Sequence, residues 1–231
     1  MIMSTYFQIL LFCIVIPFIF SFHKKIQFHT KWPEFIKSNI LTIIPFIIWD
    51  EIFTKNGVWG FTKEHITGIY LFNLPIEEIL FFIVIPFCCV FTYEVFNILS
   101  LKNNKYIQTL NLFIGVIVLI FGILSYPKMY TFITFISLGC LLIILYLKNE
   151  KFVPTFYLTF LAITSSFFLI VNGILTGGTL ENPPVWYNNN ENLNIRIWTI
   201  PIEDFFYSML LLLSNIWLFE IFKRRSKIIV D

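Results

Sequence analysis

Pro75-Ile76-Glu77-Glu78-Ile79-Leu80-Phe81-Phe82 opens one long apolar run, and Pro201-Ile202-Glu203-Asp204-Phe205-Phe206 opens another. Each motif has a further glutamate 19 residues after its proline, Glu94 in the first and Glu220 in the second. Carboxyl groups at the mouth of an apolar helix are costly to place there. The same costly pattern written twice predicts an internal duplication with paired acid groups.

Outward from these motifs the chain is apolar almost throughout. Of its 231 residues, 58% are hydrophobic, 19% aromatic and 13% charged, and the mean hydropathy is +0.80. A soluble domain carries about 25% charge, so this composition cannot cover a water-facing surface and predicts an integral membrane protein. The net charge of +2 is spread over loops and makes no basic face, which excludes nucleic acid as a partner. Cys13, Cys88, Cys89 and Cys140 lie inside apolar runs without CxxC spacing or flanking histidines, so they are small apolar fillers. The N-terminus lacks a basic leader and a small-residue cleavage site, which predicts a retained first helix.

A bilayer-crossing helix needs about 20 apolar residues. Such stretches lie at 5–22, 38–54, 75–99, 107–124, 129–147, 155–175 and 201–222, predicting an all-α membrane protein with about seven transmembrane helices. None alternates as a membrane-barrel strand would. Of the 16 Lys and Arg, four fall on the side of the N-terminus and 12 on the side of the C-terminus. The positive-inside rule then puts the N-terminus outside and Lys223-Arg224-Arg225 in the cytoplasm, in a multi-pass protein of the cell membrane. Residues 1–100 form a first repeat (helices 1–3), 101–128 a linking helix, and 129–231 a second repeat (helices 5–7). The linking helix restores direction, so the repeats run parallel, both motifs face the non-cytoplasmic side, and the halves share a central chamber.

Each motif follows a polar-aromatic loop, with Trp59 lying 18 residues before Glu77 and Trp186 lying 17 before Glu203. Proline at the first helical position is preorganised. Burial opposes ionisation of the acids behind it more strongly than the helix dipole favours it. Facing carboxyls share protons unequally, which supplies an acid and a base. Adjacent helical residues diverge by about 100°, so Glu77 and Glu203 are expected to face the chamber. Glu78 and Asp204 would then hold loop groups or tune their neighbours. The plainer alternative is that all four are helix caps at a wet interface.

Glu94 and Glu220 are expected to form ion pairs with Lys102, Lys105 or Lys223–Arg225 near the cytoplasmic surface. Trp49, Trp59, Trp186, Tyr187 and Trp198 cluster on the acidic side, where aromatic faces could stabilise a cation. His65 could relay protons, but a lone loop histidine is more often incidental. No GxGxxG, P-loop, HExxH or DDxxD pattern is present, so no cofactor and no metal is indicated.

These residues resemble the membrane-integral lycopene cyclases, in the fused arrangement with two repeat halves. The resemblance rests on Pro75-Ile76-Glu77-Glu78 with Phe81-Phe82 and on Pro201-Ile202-Glu203-Asp204. It extends to Asp50 with Gly57-Val58-Trp59-Gly60, and to Pro184-Val185-Trp186-Tyr187-Asn188. The second half has no direct counterpart of Asp50; Asn172 is the nearest. The resemblance implies a cofactor-free lycopene β-cyclase acting on lycopene or a related linear carotenoid within the bilayer, with other carotenoid enzymes as possible neighbours. An acid would protonate C2 of the linear end, the C5–C6 double bond would attack the C1 cation, and loss of the C6 proton would give a β-ring. Glu77, Glu203, Glu78 and Asp204 would be catalytic; Trp59, Phe81, Phe82, Trp186, Tyr187 and Asp50 would contact the substrate. Two other readings stay open on the residues alone: a small proton-coupled transporter, and a structural subunit of a membrane complex.

Overall fold

A computed structural model describes residues 4–98 and 105–230. Among them are seven helices: α1 (Thr5–Phe20), α2 (Trp32–Lys55), α3 (Ile76–Asn97), α4 (Lys105–Leu124), α5 (Met129–Lys148), α6 (Val153–Leu175) and α7 (Ile202–Val230). Helices α3 to α7 are long and apolar enough to cross a membrane. Helix α1 is apolar but only 16 residues long. Helix α2 has 24 residues and carries Glu34, Lys37, Asp50, Glu51 and Lys55. The expected boundaries hold to within a few residues except at α2, which starts at Trp32 rather than 38, with Pro33 in its first turn, and at α7, which runs to Val230 rather than 222. The expected linking segment 101–128 begins outside the described residues, as do Lys102 and the side chain of Lys105.

Helix α1 packs on α3 and α5 packs on α7, while α2 crosses to α7 and α6 crosses to α3. The halves are therefore interleaved rather than side by side. Helices α4 and α5 lie backbone to backbone: a Cβ on Gly139 would sit 2.8 Å from the Gly115 carbonyl oxygen and 2.9 Å from the Leu119 nitrogen. Small residues at such crossings are what allows close helix packing in lipid, where no hydrophobic drive brings helices together.

Six short strands lie in the loops before α3 and α7. Strands β2 (Tyr70–Leu71) and β3 (Leu74–Pro75) form a hairpin, as do β5 (Arg196–Ile197) and β6 (Ile200–Pro201). The two hairpins match residue for residue at a separation of 126. Tyr70 pairs Pro75 and Arg196 pairs Pro201, Ile76 N–H donates to the Ile69 carbonyl and Ile202 N–H to that of Ile195, and Phe72 and Trp198 take the same left-handed φ of 57° and 58°. Pro75 and Pro201 thus end strands just before their helices rather than occupying the first helical position, a correction of one residue.

Strands β1 (Trp59–Phe61) and β4 (Val185–Tyr187) come from opposite halves and pair antiparallel: Trp59 with Tyr187, Gly60 with Trp186, Phe61 with Val185. Adding 126 to each residue turns this ribbon into itself. The flanking bonds obey the same rule, since Thr62 N–H donates to the Pro184 carbonyl at 3.0 Å and Asn188 N–H to that of Val58 at 2.8 Å. A self-complementary pairing of equivalent segments is the mark of a twofold relation.

Candidate active site

Beneath the ribbon lies a cavity of ≈ 100 Å³. One end is acidic and aromatic, lined by Asp50, Glu78, Asp204, Tyr6, Tyr130, Tyr187 and Tyr207. The other is apolar, lined by Ile85 and Cys89 of α3, Phe160, Ile163 and Phe168 of α6, and Leu211 and Leu212 of α7.

The acids are held differently. Tyr6 donates to Glu78 Oε2 at 2.5 Å. Asp204 accepts three bonds: from Tyr130 at 2.6 Å, from the Asn172 amide at 2.7 Å and from Tyr187 at 2.9 Å. Asp50, 1% exposed, accepts from the Trp59 indole at 2.6 Å and from Thr54 at 3.3 Å on one oxygen, while Oδ2 is buried without a partner. Asp50 and Asp204 both lie within electrostatic range of Glu78. Burial and the neighbouring Asp204 carboxylate hold the Tyr187 phenol well above its ordinary range, so it stays a donor.

Aromatic rings wall this end. Trp59 meets Tyr130 edge-on at 5.0 Å and Tyr207 at 6.2 Å, and Tyr130 stacks on Tyr187 at 5.9 Å. Electron-rich ring faces attract a nearby cation, by about 2 kcal/mol or more where it is desolvated.

The structure reverses the expected roles of the paired acids in space. Glu77 and Glu203, both fully buried, do not line the cavity. Glu77 Oε1 accepts from Ser4 Oγ and Thr67 N–H, each at 2.6 Å, and Glu203 Oε1 accepts from Thr131 Oγ1 at 2.6 Å and Leu193 N–H at 2.7 Å. The reason is hydrogen bonding: the loop that folds back before each hairpin presents an N–H to the side the first acid faces. The second acid, about 100° further round the helix, is left to the chamber. Two other residues also differ from expectation. Phe82 is 1% exposed and packs in the core, and Trp186 is 42% exposed and lies over Gly60; neither lines the cavity. Trp59, Phe81, Tyr187, Asp50, Glu78 and Asp204 do.

Sequence reading missed Tyr6, Tyr130 and Tyr207. A signal existed: Ser4-Thr5-Tyr6 and Tyr130-Thr131 are polar openings of apolar helices at matching places in the two halves, and Tyr207 sits one turn after Asp204. His65 bonds Thr5 at 3.2 Å and stands outside the cavity. Glu94 is buried between Lys31 and Lys223, and Glu220 bonds Lys223 at 2.7 Å, so the expected ion pairs form, with Lys31 as an unforeseen partner. Cys13, Cys88 and Cys89 are buried and unpaired, as fillers would be, whereas Cys140 is exposed.

Comparison with curated proteins and with solved structures gave no match. Among protein families, the one described as lycopene cyclase matches twice, over residues 3–96 and 127–222. These stretches carry both acidic motifs and the helices that frame the cavity, and they take in most of the chain. The chain therefore belongs to the lycopene cyclase family.

Proposed function

We propose that this protein is a lycopene β-cyclase that closes the linear ends of lycopene by acid/base chemistry without net redox change. The observation that carries this reading is the joining of Glu78 and Asp204, one from each copy of the motif, in a single aromatic-walled cavity with an apolar far end. One carboxyl gives a proton to C2 of the end group. The C5–C6 double bond then attacks the C1 cation, the rings of Trp59, Tyr130 and Tyr207 shelter the positive charge, and a carboxylate takes the C6 proton. Glu78 and Asp204 are the reacting carboxyls, and Glu77 and Glu203 brace the loops behind them. The apolar end receives the polyene directly from the bilayer.

The same reading takes all seven helices as spans. It treats residues up to about 100 and from about 129 as parallel repeats, and places the chamber toward the outer face of the cell membrane with the C-terminus in the cytoplasm.

Expression in cells that accumulate lycopene tests the proposal. Pigment chromatography is expected to show loss of the red linear compound and appearance of orange-yellow cyclic products. Unchanged lycopene, with the protein present and folded in the membrane, overturns it.

A further inference from the structure

The two halves differ inside the chamber in the groups that attend each acid, and that difference assigns the acid and the base: Tyr187, which bonds Asp204, stands where the first half has Phe61, and Asn172 stands where the first half has Asp50. Asp50 on α2 and Asn172 on α6 occupy corresponding places: each lines the cavity and each stands one turn before a threonine (Thr54, Thr176); Asn172 bonds Asp204, and Asp50 lies within electrostatic range of Glu78. In the second half an amide faces a carboxylate. Asn172 donates to Asp204 at 2.7 Å, and two phenols complete its shell. Every partner of that carboxylate is a donor, so its charged form is the satisfied one. In the first half a carboxyl faces a carboxyl. Glu78 receives one phenol, and Asp50 keeps a buried oxygen with nothing to bond. Two buried acids within electrostatic range of one another are not both ionised at little cost, and a proton on this side relieves their repulsion.

We propose that Asp50 and Glu78 together hold the proton delivered to the substrate and that Asp204 takes the proton released on ring closure. This rests on the cyclase reading above. The step balances: the O–H bond of the acid pair breaks as a C–H bond forms at C2, the C5–C6 electron pair closes the ring onto C1, and the C6–H bond gives its electrons to the new ring double bond and its proton to Asp204. Return of that proton to the pair resets the chamber. Tyr207, within electrostatic range of all three acids, lines the space it must cross.

Asp50→Asn gives Glu78 the amide that Asp204 already has, so both sides then carry a satisfied carboxylate and neither carries an acid. Cyclisation of lycopene in membranes is expected to fall by at least about 100-fold, the lower range for a lost general acid. The decisive readout is isotopic. In deuterated water, Asp204→Asn keeps the acid but lacks the base, so its cation reverts, and recovered lycopene is expected to gain deuterium without cyclising. Asp50→Asn is expected to leave recovered lycopene unlabelled. Labelling in Asp50→Asn, no labelling in Asp204→Asn, or wild-type cyclisation by Asp50→Asn overturns the assignment.

Should a single variant fail to fold, the double exchange D50N/N172D keeps the chamber's set of side chains and moves the acid pair to the other half. Activity above that of D50N alone is expected, and a folded, inactive double variant overturns the proposal. A wild-type protein that leaves lycopene unchanged sinks the cyclase reading itself. A wild-type enzyme alongside an unimpaired D50N sinks only this assignment.

Discussion

Glu77 and Glu78 are neighbours in sequence with unlike surroundings, and that contrast makes an experiment. Glu77 is enclosed by Ser4 and the Thr67 amide; Glu78 looks into the cavity. Glu77→Gln keeps an oxygen for both donors, loses the charge on those bonds and puts an amide NH2 where Glu77 Oε2 is buried without a partner. It is expected to retain most of its cyclisation rate while losing about 1–2 kcal/mol of stability, a part of the ~1.5–3 kcal/mol that a charged acceptor contributes. Glu78→Gln is expected to fold with near wild-type stability and to cyclise at least about 100-fold more slowly. Pigment analysis beside thermal unfolding in detergent separates the two, and the opposite pattern would return Glu77 to the chemistry. The motif and its pairing were legible in the sequence because repetition needs no coordinates to be seen. Which acid faces inward was not legible, because 100° of helical rotation has no reference direction until the hairpin loop takes one side.

The short elements above α3 and α7 decide that direction, and composition conceals them. Residues 57–75 and 176–201 are rich in Gly, Asn, Thr and aromatics and read as loops, yet they hold two matched hairpins and a ribbon between the halves. Strands of two or three residues show no alternation that periodicity could detect. The apolar helices α3 to α7 were legible for the converse reason, since each is long and apolar enough to cross a bilayer. The ribbon depends on Gly60, where a Cβ would stand 2.4 Å from the Trp186 ring. Gly60→Ala is expected to push that ring aside and destabilise the protein by about 1–3 kcal/mol, the usual cost of overpacking. Trp186→Ala in the same chain removes the clash. Unfolding measurements on both singles and the double should show a favourable coupling of at least about 0.5 kcal/mol. Strict additivity would mean that the ring does not rest on Gly60.

At the scale of the molecule, the two copies of the motif make one chamber. The ribbon maps onto itself when the halves are exchanged, so its axis runs through Gly60 and Trp186. Glu78 with Tyr6 reaches the cavity from the first half, and Asp204 with Tyr130 and Tyr187 from the second. Helices α2 and α6 cross to the opposite half, so neither half has a complete wall of its own. Severing the chain within 99–104 should therefore give two pieces that are inactive singly, because each lacks one of the facing carboxyls. Produced together, they should assemble through the α2–α7 and α3–α6 contacts and recover cyclisation, since the two pieces between them carry every described residue of the cavity. Pigment analysis of cells carrying either piece or both, with co-purification of the pieces as the check on assembly, reads the outcome. Activity from one piece alone would show that a single copy of the motif is enough, and the shared chamber would lose its purpose.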